Sequence, residues 1–350
     1  MSDTQRPTLR IDSTADLVAL IPFLLGFHPA DSLVLLAVDD TTNQIRTAAR
    51  LDLPPAGAPR AAVDAALHRA VTALGSGISV VLAGYGPTAQ VEPMLTVARE
   101  ALHAAGIGIR TALRIADGRF WHLLCTDPMT CPPDGTPFDA ASSPAAAAAV
   151  YAGLVALPDR DALAATLTPV TGPARQRMIA ATAAACASLA EALNAAHTDT
   201  DTADANPDAA LDTRLGHALQ AAARTYLTQV QEQYRAGRPV DDEHAAMLTV
   251  LLELPSLWDV AARATNGEAW QIQMWSDLVR RAEPAFTAPA ATLLALSALQ
   301  AGHGPLAGMA VDRALAADPQ DRFAQLLDLA IAAGIDPDTV TALLSPAPGE

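Results

Sequence analysis

Four arginines, Arg46, Arg50, Arg110 and Arg114, stand in two stretches of alternating character, IRTAARLDL and GIRTALRIADGRFWHLLCTD. A guanidinium is a planar, permanently charged fork that suits phosphate or carboxylate, and an indole beside it supplies a stacking wall. In the first stretch Ile45, Thr47, Ala49, Leu51 and Leu53 alternate with Arg46, Ala48, Arg50 and Asp52. That is the period of a strand with one apolar face. In the second stretch the Asp117-Gly118 pair predicts a two-residue hairpin turn, which sets Ala116 against Arg119. The register then places Arg114 opposite Trp121 and Arg110 opposite Cys125, with Ile109, Leu113, Ile115 and Phe120 on the other face. If Arg46, Arg50 and Asp52 share the side of Arg110, Arg114 and Trp121, the result is a sheet face able to hold an anion. The competing expectation is structural: the chain's own carboxylates pair with these arginines, and Arg114 over Trp121 is a cross-strand cation–π pair.

A second group lies in PFLLGFHPADSLVLLAV, where His28, Pro29, Asp31 and Ser32 interrupt an apolar run. A binding loop at a strand edge would present His28, Asp31 and Ser32 to the same ligand. A turn explains the segment as well, with Asp31 or Ser32 closing it by a side-chain bond to the backbone. Pro22 to Phe27 then reads as a buried approach to the first core strand, Leu33 to Val38.

Other chemistry finds less support. HLLCTDPMTC offers His122, Cys125, Asp127 and Cys131, but zinc sites favour closer cysteine spacing, and His122 and Cys125 would project from opposite faces of a strand. A thiol at Cys125 activated by Arg110 requires exposure. The sequence holds no G-x-S-x-G elbow, no P-loop and no G-x-G-x-x-G after a strand. No catalytic residue is assigned, and neither metal nor cofactor is expected.

The elements that must position these residues begin with a chain of 350 residues, long enough for about two domains. Strand patterns at Leu33–Val38, Ile45–Leu53, Ile78–Ala83 and the hairpin of 109–125 are interleaved with helical periodicity over 60–74 and after Pro87. The order strand-strand-helix-strand-helix-strand-strand predicts an α/β domain over 1–138 with a mixed sheet. Period-2 patterns stop after Cys125, so an all-α domain is expected over 139–350. HTDTDTADANPDAALD, with five aspartates and no basic residue, reads as a flexible acidic loop near 197–210. The tail PAATLLALSALQAGHGPLAGMAVDRALAADP pairs two short helices as tetratricopeptide hairpins do, and RFAQLLDLAIAAGIDPDTVTALL suggests a shorter pair.

The net charge of −16 opposes broad contact with nucleic acid or anionic membrane. No apolar run reaches the roughly 18 residues that span a bilayer, and MSDTQRPTLRIDS lacks the apolar core of a secretory signal. Three cysteines form no disulfide framework. A cytoplasmic location is expected.

Three separated stretches, PFLLGFHPADSLVLLAV with RLDLP, GRFWHLLCTDPMTCPPDGTPFD, and RAEPAFTAPAATLLALSALQAGHGPLAGMAVDRALAADP, together resemble an actinobacterial family catalogued as domain of unknown function 4192. The resemblance covers nearly the whole chain and implies an intracellular protein. It carries no established activity, substrate or catalytic residue. Two readings of function stand: a non-enzymatic interaction or regulatory protein that binds a protein partner through its helical surface, or an enzyme or small-molecule sensor holding an anionic ligand on the arginine face.

Overall fold

The computed structural model describes residues 9–55, 58–74, 77–125, 127, 129–198 and 207–332. Contacts divide the chain into two units, the first running to Ala164 and the second taking most of the chain from Ala165.

The first unit opens with a helix, which takes in most of the buried approach expected over Pro22 to Phe27. Helix α1 (Thr14–Leu25) is capped by Ser13, whose hydroxyl accepts the Asp16 amide at 3.1 Å, and it ends at Gly26 with φ 81°. Then follow β1 (Ser32–Asp39), β2 (Ile45–Asp52), α2 (Arg60–Ala73), β3 (Ile78–Tyr85), α3 (Thr88–Ala104), β4 (Gly108–Ala116) and β5 (Arg119–His122). A two-residue strand, β6 (Thr136–Pro137), pairs with β5. Helices α4 (Pro144–Tyr151) and α5 (Arg160–Ala165) come after it. The six strands form one mixed sheet in the order β2-β1-β3-β4-β5-β6, in which only β3 and β4 are parallel. Among the described residues no strand follows Pro137, although one isolated bridge joins Phe27 to Leu157.

Helices α2 and α3 pack together on one side of the sheet. Leu33 and Leu35 of β1 and Val80 and Leu82 of β3 meet Leu67 and Val71 of α2 and Val91, Leu95 and Leu102 of α3. Each such side chain contributes about 1.5–3 kcal/mol by leaving water. Gly84 permits the close approach of α3, because a Cβ there would collide with Val91. The opposite side of the sheet is also apolar: Val34, Leu36, Ala83 and Leu113 are fully buried.

Two bulges break the expected alternation. In β2 the register shifts so that Thr47 pairs with Ala37 but Ile45 pairs with Val38, leaving Arg46 as the extra residue. In β4 Ile109 pairs with Val80 and Thr111 with Val81, leaving Arg110 extra. Each bulge inverts the faces on either side of it.

The second unit is helical: α6 (Gly172–Thr198), α7 (Pro207–Arg235), α8 (Asp242–Leu251), α9 (Pro255–Arg263), α10 (Ala269–Arg281), α11 (Thr287–Gln300), α12 (Gly304–Ala317) and α13 (Arg322–Ala332). Helix α11 is buried on all sides, with Pro289 the one residue of its length not buried. It packs against α10, and α10 in turn against α7 and α8. At that junction the buried Arg281 donates to Asp277, to Tyr234 Oη at 3.2 Å, to Asp242 at 3.3 Å and to the Val240 carbonyl at 3.1 Å. The acidic loop expected near 197–210 falls largely outside the described residues: α6 ends at Thr198 and α7 begins at Pro207. The second half of the short tail pair also lies outside them.

Candidate functional site

The hairpin turn sets its register as its residues dictate. Asp117 and Gly118 have φ of 52° and 69°, the two left-handed positions of such a turn. Arg114 pairs with Trp121 and Ala116 with Arg119. Strand β5 ends at His122, however, so Cys125 does not sit opposite Arg110. Its Sγ lies 3.9 Å from the Asp127 carbonyl oxygen, in the loop that leads to β6.

The four arginines do not share a face. Arg114 follows Ala112 by two residues and therefore lies on the α2–α3 side, with its guanidinium carbon 3.5 Å from the Trp121 ring centroid. Arg50 pairs with the buried Val34 and lies on the other side. Arg46 and Arg110, the two bulge residues, both reach the β1–β2 turn. Arg46 forms an ion pair with Asp39, and Arg110 bonds Asn43 and Ser79 and stands 3.4 Å from Asp40. Asp39 also accepts the amides of Thr42 and Thr41, and these bonds, with the Arg46 charge, hold its carboxyl below the ordinary value against the effect of burial. One polar turn thus occupies two of the four expected anion donors.

The corner around Arg50 does gather expected residues. Asp52, Ser32 and Tyr85 form one row across β2, β1 and β3, and Arg50, Val34 and Ala83 form the next. Arg50 donates to Asp52 at 2.7 Å and to the Ala30 carbonyl at 3.4 Å, and its guanidinium stands 5.7 Å from the Phe27 ring centroid. The Arg50 Nε, the Ser32 Oγ and the Tyr85 hydroxyl are buried without a hydrogen-bond partner among the described residues. Burial pushes the Tyr85 phenol upward. Tyr85 was legible only as the last position in the alternation Ser79, Val81, Ala83, Tyr85, where a phenol ends an otherwise apolar strand. His28 is exposed, and its amide donates to Leu157 O at 2.9 Å. Asp31 adopts φ 43°, and its carbonyl accepts the Leu53 amide at 2.8 Å, so it serves the turn.

One hydroxyl–imidazole contact exists on this side, Thr111 Oγ1 to His122 Nδ1 at 3.3 Å. Burial lowers the His122 pKa, but among the described residues no carboxylate bonds to that ring to orient it as a base. Trp121 does not face open solvent as a stacking wall. Its indole donates to Pro133 O at 3.0 Å, and Gly135 lies against the ring. Among the described residues no group of three or more His, Cys, Asp or Glu side chains is placed to hold a metal ion.

The model of a family described as Domain of unknown function (DUF4192) matches residues 15–338. No curated protein and no solved structure matches the chain.

Proposed function

The chain belongs to the DUF4192 family, whose description names no reaction, and from the geometry we propose a non-enzymatic interaction or regulatory protein that engages a protein partner through a helical surface. The observation that carries this reading is the end of α4. Val150, Tyr151 and Val155 are 60%, 95% and 63% exposed, while Ala145, Ala146 and Ala149 hold the same helix to its unit. The two exposed valines make an apolar patch around a tyrosine, a residue type enriched at binding hot spots. The charge of −16 supports a partner other than nucleic acid or an anionic membrane, and the free cysteines support a cytoplasmic location. Helices α11, α12 and α13, of 14, 14 and 11 residues with short turns between them, support a tetratricopeptide-like tail. Quantitative capture from native extract tests the role. A partner retained by wild type and lost with Tyr151→Ala and Val155→Asp supports it; identical capture by both overturns it.

The Arg50 corner favours a second reading, a sensor of a small anion. Its support is the three unpartnered polar groups of Ser32, Arg50 and Tyr85 on adjoining positions. A phosphate or carboxylate that raises the Tm of wild type but not of Arg50→Ala would establish it.

A further inference from the structure

The loop from β5 to β6 folds around Asp127. Its carbonyl oxygen accepts the Cys131 amide at 2.8 Å and lies 3.9 Å from Cys125 Sγ, so the two cysteines converge on one atom. The Asp127 carboxylate fastens the turn, accepting the Met129 amide at 3.0 Å and the Thr130 hydroxyl at 2.7 Å. Both cysteines are free thiols, and both are half-exposed. The tip of the same turn is open to solvent, with Met129 93% exposed.

We propose that Cys125 and Cys131 form a dithiol site that a low-molecular-weight disulfide converts reversibly into an internal disulfide. A disulfide demands that two Cβ atoms stand about 3.5–4.5 Å apart with the bonds facing each other. The Cys125 thiol and the Cys131 amide meet at one carbonyl oxygen, that of Asp127, which holds the two residues at neighbouring positions in the turn. The neighbouring Cys125 thiol, burial and the Asp127 carboxylate push the Cys131 thiol up to about 11. The Cys131 thiolate is disfavoured while the Cys125 thiol stands beside it, so Cys125 attacks first.

The exchange balances. Cys125, as thiolate, attacks one sulfur of the small disulfide; the sulfur–sulfur bond breaks and one small thiolate leaves. Cys131 then loses its proton and attacks Cys125 Sγ in the mixed disulfide, expelling the second small thiolate. The two protein thiols are oxidised, the small disulfide is reduced to two thiols, and the two protons pass from the protein to the departing thiolates. The product ring pins the loop that carries Pro133 and Gly135 to Trp121.

The test uses the full chain, equilibrated under native conditions with mixtures of oxidised and reduced glutathione, quenched with acid, alkylated and mapped by mass spectrometry. The expected product links Cys125 to Cys131 and leaves Cys186 alkylated. Cys131→Ser is expected to stop at a glutathione adduct on Cys125. Cys125→Ser is expected to stop at a glutathione adduct on Cys131, with no internal disulfide. Full alkylation of both cysteines at the most oxidising mixture overturns the proposal. So does a bond from either to Cys186.

Discussion

Gly135 lies against the indole of Trp121: a Cβ on that glycine would stand 2.5 Å from Cε2 and 2.8 Å from Cδ2 and Cζ2. Gly135 also has φ 74°, a conformation that side chains resist. The Arg114 guanidinium packs on the same ring. Trp121 is thus enclosed by its own loop and by the neighbouring strand, and its part in the protein is to fasten the β5–β6 connection.

Gly135→Ala therefore meets two penalties, a left-handed backbone and an overpacked contact. Together they should cost about 2–3 kcal/mol. Gly118 supplies the control, since its φ is 69° and nothing lies within 4 Å of its absent Cβ. Gly118→Ala should cost only about 1 kcal/mol. Urea unfolding of the two variants measures the difference, and equal losses would remove the packing argument.

The contrast between Arg114 and Arg110 explains what could be read from residues alone. Arg114 pairs with Trp121 as expected because the Asp117-Gly118 turn is a local cause with a fixed geometric result. Arg110 and Arg46 escape their expected places because one unpaired residue in each strand inverts the alternation, and a bulge leaves no mark in a pattern of period two. Helix α1 escaped for a different reason. Residues 16–25, DLVALIPFLL, are apolar almost all round with Pro22 in the middle, so they show no stripe of helical period. Burial on every side holds the helix despite the proline. Strand β6 is two residues ending in a proline, too short to carry any signal. Arg50 and Asp52 stay on one face of β2 because no bulge separates them, and the register brings Ser32 beside them.

In the second unit Arg281 joins three helices through Tyr234, Asp242 and Asp277. Arg281→Ala leaves the Asp277 carboxylate with only the Tyr234 hydroxyl, and the Val240 carbonyl without its side-chain donor, so a loss of about 3–5 kcal/mol is expected. Arg281→Lys keeps the charge but has too few fixed donors for these partners, and it should recover less than half of that loss. Denaturant midpoints of the two variants decide the point. A lysine variant as stable as wild type would mean that charge alone matters there.

Burial lowers the folded-state pKa of His122 below the ordinary imidazole value. Between the lowered value and about 6.5 the unfolded chain binds a proton that the folded chain does not, so stability falls as pH drops through that window. His303 is shifted in the same direction by burial and adds to the slope. His122→Gln should flatten, without abolishing, the loss of stability between about pH 7 and pH 5. Urea midpoints across that range provide the measurement. An unchanged slope would assign the whole effect to His303 and other groups.

The Ser32 and Tyr85 hydroxyls are neighbours across β1 and β3, both buried, and neither has a hydrogen-bond partner among the described residues. A buried hydroxyl without a partner weakens the fold it sits in, because its desolvation is not offset by any bond. If the corner around Arg50 is structural, Ser32→Ala and Tyr85→Phe delete that unfavourable group at little change of shape. Each variant should then match wild type within about 0.5 kcal/mol or exceed it. If a bound molecule supplies the missing partners, each deletion removes a real bond, and a loss of about 1 kcal/mol or more follows. Unfolding of dialysed protein, repeated after adding phosphate, separates the two cases. Stability equal to wild type in both conditions leaves the exposed end of α4 as the better-supported surface. A loss that appears only with phosphate present transfers that support to the Arg50 corner.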